Sequence, residues 1–309
     1  MKKTTFGVVG TGRIGKIHAG NLLAMPDVSL KSVADPFLDP DEWSSRGIAP
    51  TLEPAEIFED PEIDAVLICS PTPTHAEFTE IAARAGKHVF CEKPIALDPD
   101  RIRTTLEVVE TAGVKLQVGF NRRFDPTFAR VRKAVVNGEI GNVHLVKVVA
   151  RDPSPPPPEY VADSGGMFLD MTIHDFDMVR FLSGSEVEEV QAFGAVLVDP
   201  AIGEAGDIDT AVVTMKLENG ALAVIENSRK AVFGYDQRLE VFGSEGGVEA
   251  ANESPCQVRL RTAAGIRAEN PLYFFLERYQ RSFVIELEAF VASIRDDLEP
   301  PVGGRDGLV

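Results

Sequence analysis

The stretch TFGVVGTGRIGKIHAGNLLA, residues 5–24, decides how the first part of the chain is read. A short apolar run ends at a glycine-rich turn, GTGRIG at 10–15, and helical periodicity begins at once. Gly10 allows the tight turn, Gly12 lets the backbone approach a pyrophosphate, and Gly15 lets the helix pack on the strand. Arg13 and Ile14 complete the loop. Alone, this spacing fits a structural turn nearly as well. Its context says more, because a second apolar run, SLKSVAD, ends in Asp35. A carboxylate about 20 residues after such a loop accepts hydrogen bonds from the adenosine ribose hydroxyls and repels a 2′-phosphate. The pattern points to dinucleotide binding, with NAD favoured over NADP, although Asp35 also suits a turn before Pro36.

Outward from that loop, residues 1–121 alternate short apolar runs with helical patterns. DAVLICS, KHVFCEKP and KLQVGF read as strands, and PAEIFED, THAEFTEIAARAG and DPDRIRTTLEVVETAG as helices. Strands alternating with crossover helices imply an α/β domain, a doubly wound parallel sheet of the Rossmann type. From residue 122 the rhythm changes. HLVKVVARDP runs into four consecutive prolines, and a single long helix carries GGMFLDMTIHDFDMVRFLSG. TAVVTMKLENGALAVIENS reads as a hairpin turning at Asn219-Gly220, and QRLEVFGSEGGVEA as another strand pair. A second domain over 122–309 is expected, of α+β type with an open, mostly antiparallel sheet.

Composition narrows the partners. A net charge of −17 leaves no basic surplus to replace counterions on nucleic acid or to dock on anionic membranes. No apolar run is long enough to span a bilayer, and MKKTTFGVVG reads as a first strand instead of a signal peptide. Cys69, Cys91 and Cys256 lack metal-like spacing, and the first two sit in strand-like runs, as buried thiols in a reducing compartment would. The histidines at 18, 75, 88, 144 and 174 show no zinc-like spacing. The expectations are no metal and a cytoplasmic location, with His18, His88 and His144 structural or solvated.

Two further patterns carry chemistry. CEKP, residues 91–94, ends a parallel strand, where ligands of open α/β sheets gather. An ammonium there can stabilise an alkoxide forming on a substrate hydroxyl. Lys93 fits equally well as a surface lysine paired with Glu92. DMTIHD, residues 170–175, sets Asp170 and His174 four apart, so both leave one helix face. In isolation that pair also describes a capped, solvated helix.

In combination, GTGRIG, Asp35, SPTPTHAE, CEKP, GFNRRFD and GGMFLDMTIHD, in this order, resemble the family of glucose-fructose oxidoreductase, inositol dehydrogenase and rhizopine-catabolism oxidoreductases. The likeness runs along essentially the whole chain. RRFD, ARDP, DMTIHDFD and GYDQR are most similar to inositol 2-dehydrogenases within that family. The resemblance implies that Lys93 is catalytic, with a cis bond before Pro94, and that Asp170 and His174 lie on the active-site helix. It implies that Ser70, Thr72, His75 and Glu92 line the nicotinamide and its ribose, and that Arg122, Asp152 and Tyr235 contact a cyclitol.

The chemistry so implied is oxidation of a cyclic polyol. His174 acts as general base, Asp170 orients and stabilises its imidazole, and Lys93 holds the same oxygen as charge develops. The expected substrate is myo-inositol, oxidised to its 2-ketone; scyllo-inositol, chiro-inositol or a pyranose are alternatives. A non-enzymatic NAD sensor is the remaining reading, and it would not need Lys93, Asp170 and His174 together. Relatives bury the open sheet face against other subunits, so a homo-oligomer, a tetramer by resemblance, is expected. The family also continues past GGRDGLV with a helix packing back on the nucleotide domain, a segment expected to matter more for stability than for chemistry.

The reading of Asp35 is testable. NAD is expected to give the higher kcat/KM, and Asp35→Ser to narrow the gap to NADP. Equal kcat/KM for the two cofactors in the unmodified enzyme would remove Asp35 from the selectivity argument.

Overall fold

The computed structural model describes residues 3–309, apart from the side chains at 162 and 163. The chain forms two compact units, one of Met1–Asn121 with Phe283–Val309 and one of Arg122–Ser282.

In the first unit, strands β1 (Thr4–Val9), β2 (Val28–Ala34), β3 (Ala49–Thr51), β4 (Ala65–Ile68), β5 (His88–Cys91) and β6 (Leu116–Val118) form one sheet in the order β3-β2-β1-β4-β5-β6. Every pairing is parallel. β4 is AVLI, buried at all four positions, as a central strand covered on both faces must be. The strand order reverses between β1 and β4, and ligands of such sheets gather beyond the strand ends at that point. The crossover helices carry local signals. Asp98 caps the Pro99–Ala112 helix by accepting from Asp100 N, Pro99 pre-sets its first turn, and Gly113 ends it at φ 66°.

The second unit holds a mixed sheet of β7 (Val143–Arg151), β8 (Val187–Ala195), β9 (Thr210–Leu217), β10 (Leu222–Ser228), β11 (Asp236–Gly243) and β12 (Gly246–Ala250), ordered β12-β11-β7-β10-β9-β8. Only the β7–β10 pair is parallel, so the expected antiparallel character holds. β9 and β10 join through the expected Asn219-Gly220 turn, where Gly220 takes φ 85°. Both strands alternate buried and exposed positions, so one sheet face is covered and the other is open. The helix Ile173–Ser183 packs on β7. A small hairpin, β13 (Arg259–Thr262) with β14 (Gly265–Ala268), is exposed throughout.

One expectation needs correcting. The second domain does not run to 309, because the chain returns to the first unit at Phe283. The helix Gln280–Arg295 contributes Leu287, Phe290 and Val291 to the core around Phe6 and Phe90. Phe290 packs against both of those rings, at centroid distances of 6.2 and 6.0 Å. Gln117 Nε2 donates to Glu286 O at 2.8 Å, and Val118 N donates to Val302 O at 3.0 Å. The apolar face of this helix therefore belongs with the parallel sheet.

Asp209, fully buried before β9, ties down the loop that follows β8. It accepts from the backbone N–H groups of Leu197, Val198 and Asp199 and from Thr210 Oγ1. Burial opposes its charge, but these donors together hold its carboxyl below the usual range. Such a group stabilises the fold above the unfolded-state carboxylate pKa, and the contribution disappears as pH falls through the folded one. Asp209→Ala is expected to cost about 1–3 kcal/mol near neutral pH and progressively less in acid, read by urea unfolding. A cost independent of pH would show that charge at Asp209 is irrelevant.

Candidate active site

In the first unit, β1 delivers the glycine loop to the helix Arg13–Ala24. Gly10 has φ 92°, and a Cβ there would lie 2.5 Å from the Cys69 carbonyl carbon. A Cβ on Gly15 would collide with the Gly10 carbonyl oxygen. Gly12 differs, for a Cβ on it would meet nothing within 4 Å. Gly10 and Gly15 are therefore glycine for internal packing, whereas Gly12 borders open space. The helix begins with no side-chain cap and no acidic residue in its first turn, so its first N–H groups suit an anion such as a pyrophosphate.

Asp35 lies where β2 ends. Its Oδ2 accepts from Thr11 N at 2.7 Å and its Oδ1 from Phe37 N at 2.8 Å. It thus fixes the glycine loop. Ser70 Oγ meets Thr74 Oγ1 at 2.6 Å in the loop after β4, and Thr72 begins the short 3-10 turn of that loop. His75 is buried, with its ring nitrogens against Ser70 O (2.7 Å) and Pro94 O (2.8 Å). It joins the loop after β4 to the CEKP segment from behind. The Lys93–Pro94 bond is cis, as expected. Glu92 turns inward, its Oε1 2.9 Å from His18 Nε2.

The second unit gathers the polar residues read as substrate-side. Asp170 lies in a π-helical turn, Phe168–Thr172, that runs into the Ile173–Ser183 helix bearing His174. π turns of this kind are frequent at functional sites. Tyr160 donates to Asp170 Oδ1 at 3.0 Å, and Arg229 Nη1 donates to Asp170 Oδ2 at 3.0 Å. The same Nη1 lies 3.4 Å from Asp152 Oδ2, just beyond β7. Arg229 is buried, yet its Nε and Nη2 have no hydrogen-bond partner among the described residues. Burial raises the Asp152 carboxyl to about 6; Arg229 opposes the rise and the charge of Asp170 adds to it.

Arg122 and Tyr235 stand deeper. Arg122 Nη1 donates to Asp175 Oδ1 at 2.5 Å, and both residues are buried. Asn227 Nδ2 donates to Asp175 Oδ2 at 2.7 Å and its Oδ1 accepts from Thr172 Oγ1 at 2.8 Å. Tyr235 packs edge-on against Tyr279 at 6.0 Å, and burial pushes its hydroxyl well above the ordinary tyrosine range. Sequence reasoning missed Arg229, Tyr160, Asp175 and Asn227. Arg229 alone had a usable signal, as a cation directly after the hairpin strand that ends in ENS.

Known proteins match this arrangement along the chain. The NAD-binding Rossmann fold of the oxidoreductase family covers residues 4–120, and the GFO/IDH/MocA C-terminal domain covers 128–249. The myo-inositol 2-dehydrogenase of Thermotoga maritima is 49% identical over 97% of this chain and 91% of its own. A crystal structure of a myo-inositol dehydrogenase from Corynebacterium glutamicum superposes with TM-score 0.94 at 41% identity, covering 99% of this chain and 92% of that one. The scyllo-inositol dehydrogenase of Lactobacillus casei, solved with NAD(H) and scyllo-inositol, gives 0.92 at 34%, covering 99% and 93%.

The Asp152–Arg229 contact has a measurable consequence. Arg229→Gln removes the cation that opposes burial, so the Asp152 carboxyl is expected to titrate above its present value of about 6. A carboxyl-carbon NMR titration reads this directly. An unchanged or lower value would mean that Arg229 does not hold Asp152.

Proposed function

Because the chain belongs to the GFO/IDH/MocA oxidoreductase family, we propose that it oxidises a cyclic polyol with NAD, with myo-inositol at its 2-hydroxyl the principal substrate. The observation that carries this reading is Arg229, buried against Asp170 and Asp152 with N–H groups unspent, on the unit that also holds His174. NAD at the glycine loop supplies the hydride acceptor.

The residues divide the remaining work. His174 takes the hydroxyl proton, a role an imidazole fills because its unperturbed pKa lies near neutrality. Asp170, held by Tyr160 and Arg229, favours the imidazolium that results. Lys93 stabilises negative charge on the oxygen as the C–H bond breaks. Asp152 and Tyr235 match neighbouring hydroxyls, and Arg122, expected beside them, is buried and paired with Asp175. A ring with a hydroxyl on every carbon suits such a set, and a site built to bond hydroxyls rejects analogues that leave its own groups unpaired.

The protein is proposed to work as a homotetramer in the cytoplasm. Leu222, Leu145 and Phe242 are exposed and pair across neighbouring strands in one row of the open face of the second sheet, and Phe193 pairs with Val212 in another. Exposed apolar groups on an open sheet face suit an interface, and a second copy of the chain is the proposed partner. Cys69 and Cys91 are buried free thiols, which fits a reducing compartment.

NAD reduction followed by absorbance over a substrate panel tests the assignment. myo-Inositol is expected to exceed sorbitol and glycerol in kcat/KM by more than about tenfold, a margin within reach of hydroxyl matching. His174→Ala is expected to lower kcat by about 10²–10⁴-fold with NAD affinity nearly unchanged. Strong turnover of scyllo-inositol or an aldose with none of myo-inositol would overturn the substrate, and full activity in the His174 variant would overturn the base.

A further inference from the structure

Three ionisable side chains of the first unit, of which only Glu92 is expected near the cofactor, lie together out of solvent. His18, on the Arg13–Ala24 helix, and Glu286, on the Gln280–Arg295 helix, are fully buried. Glu92, directly before Lys93, has a side chain only 13% exposed. His18 Nε2 lies 2.9 Å from Glu92 Oε1 and 3.9 Å from Glu286 Oε1. Neither carboxylate oxygen of Glu286 has a hydrogen-bond partner among the described residues, nor does His18 Nδ1. The imidazole stands edge-on to Phe90 and Phe283, at 5.1 and 5.8 Å. Gly119 leaves room for Glu92, since a Cβ there would come within 2.8 Å of Glu92 Oε2.

Two carboxylates in so apolar a place cannot both keep their charge cheaply. Glu92 has the imidazole N–H and some contact with water, whereas Glu286 has neither. We propose that Glu286 is kept as a neutral carboxylic acid while His18 holds Glu92 as a carboxylate, so that the three form a positioning device for the Glu92–Lys93 segment. The groups facing Glu286 are His18 from the glycine-loop helix, Glu92 from the segment after β5 and Cys69 from the end of β4. Gln117 of β6 holds the Glu286 carbonyl. Burial first, and then the charge of Glu92, push the Glu286 carboxyl well above the ordinary range. The importance of the device for catalysis rests on the role given to Lys93 above; the location of the proton does not.

The sign of the pH effect follows. Between the ordinary carboxylate pKa and the raised one, the folded state holds a proton that the unfolded chain has lost. Folding is therefore disfavoured as pH rises through that window, by up to about tenfold in the equilibrium constant per pH unit. Glu286→Gln keeps the shape and neutrality of the acid and removes this slope. Urea unfolding of the full chain at several pH values between about 5 and 9 is the test, as the window opens near the unperturbed carboxylate value. The Gln variant is expected to gain on the unmodified protein steadily as pH rises. Parallel pH dependences would overturn the neutral acid. So would stabilisation by added Zn²⁺ in the unmodified protein but not in Glu286→Gln, which would put a cation where the proton is assigned.

Kinetics test the positioning role separately. His18→Leu is expected to lower kcat by about ten- to a hundredfold, as small misplacements of reacting groups do. His18→Gln, which can still donate to Glu92, is expected to recover most of that loss, and Glu286→Gln to stay near the unmodified kcat at neutral pH. Equal kcat for the Leu and Gln variants at 18 would overturn the positioning role. A failed unfolding test leaves the dehydrogenase reading intact, whereas an active Lys93→Ala variant would remove the role given to Lys93 and leave the buried acid standing.

Discussion

The second unit depends on what happens to the Asp175 carboxylate, which is fully out of solvent. A buried charge is tolerable only when paired and hydrogen-bonded, and removing one partner of such a pair costs about 3–5 kcal/mol. Asp175 meets that demand with Arg122 at one oxygen and Asn227 at the other, and Asn227 is engaged in turn by Thr172. Those contacts join the first residue of the unit, the strand β10 and the start of the Ile173–Ser183 helix. The π turn that carries Asp170 and the helical turn that carries His174 are consequently held in one rotational setting. Arg229, two residues past Asn227 on the same strand exit, reaches Asp170 and Asp152 because β10 is fixed by that network.

The first unit is governed by a different constraint, the space around a backbone turn. Gly10 and Gly15 allow strand, loop and helix to approach within distances that no side chain permits. Asp35 then closes the loop by accepting from Thr11 N. Steric permission on one unit and buried charge on the other need different supports. Small residues at fixed spacing suffice for the first, whereas the second requires partners far apart in the chain.

That difference explains what could be read from the sequence. GTGRIG and Asp35 were legible because their physics is local, a turn and a strand end within one short stretch. The parallel sheet followed from strands and helices in alternation, and the antiparallel hairpin from Asn219-Gly220. The return of Phe283–Val309 to the first unit was not legible, because an amphipathic helix does not reveal which sheet receives its apolar face. Arg229, Tyr160 and Asn227 were missed because each matters through a contact with Asp152, Asp170 or Asp175 that only the folded chain makes. His75 was expected to line the nicotinamide, whereas its use of both ring nitrogens on the carbonyls of Ser70 and Pro94 depends on two strand ends meeting and could not be read from its position. His18 was read as structural or solvated, and the structure buries it between two glutamates that its helix pattern does not announce.

The fate of one hydrogen tests the function most directly. myo-Inositol deuterated at the carbon bearing the 2-hydroxyl is oxidised with NAD, and the reduced nucleotide is weighed by mass spectrometry. Deuterium retained on the nucleotide is the predicted result. Its release to water, or reduced nucleotide formed without the label, would contradict hydride transfer from that carbon.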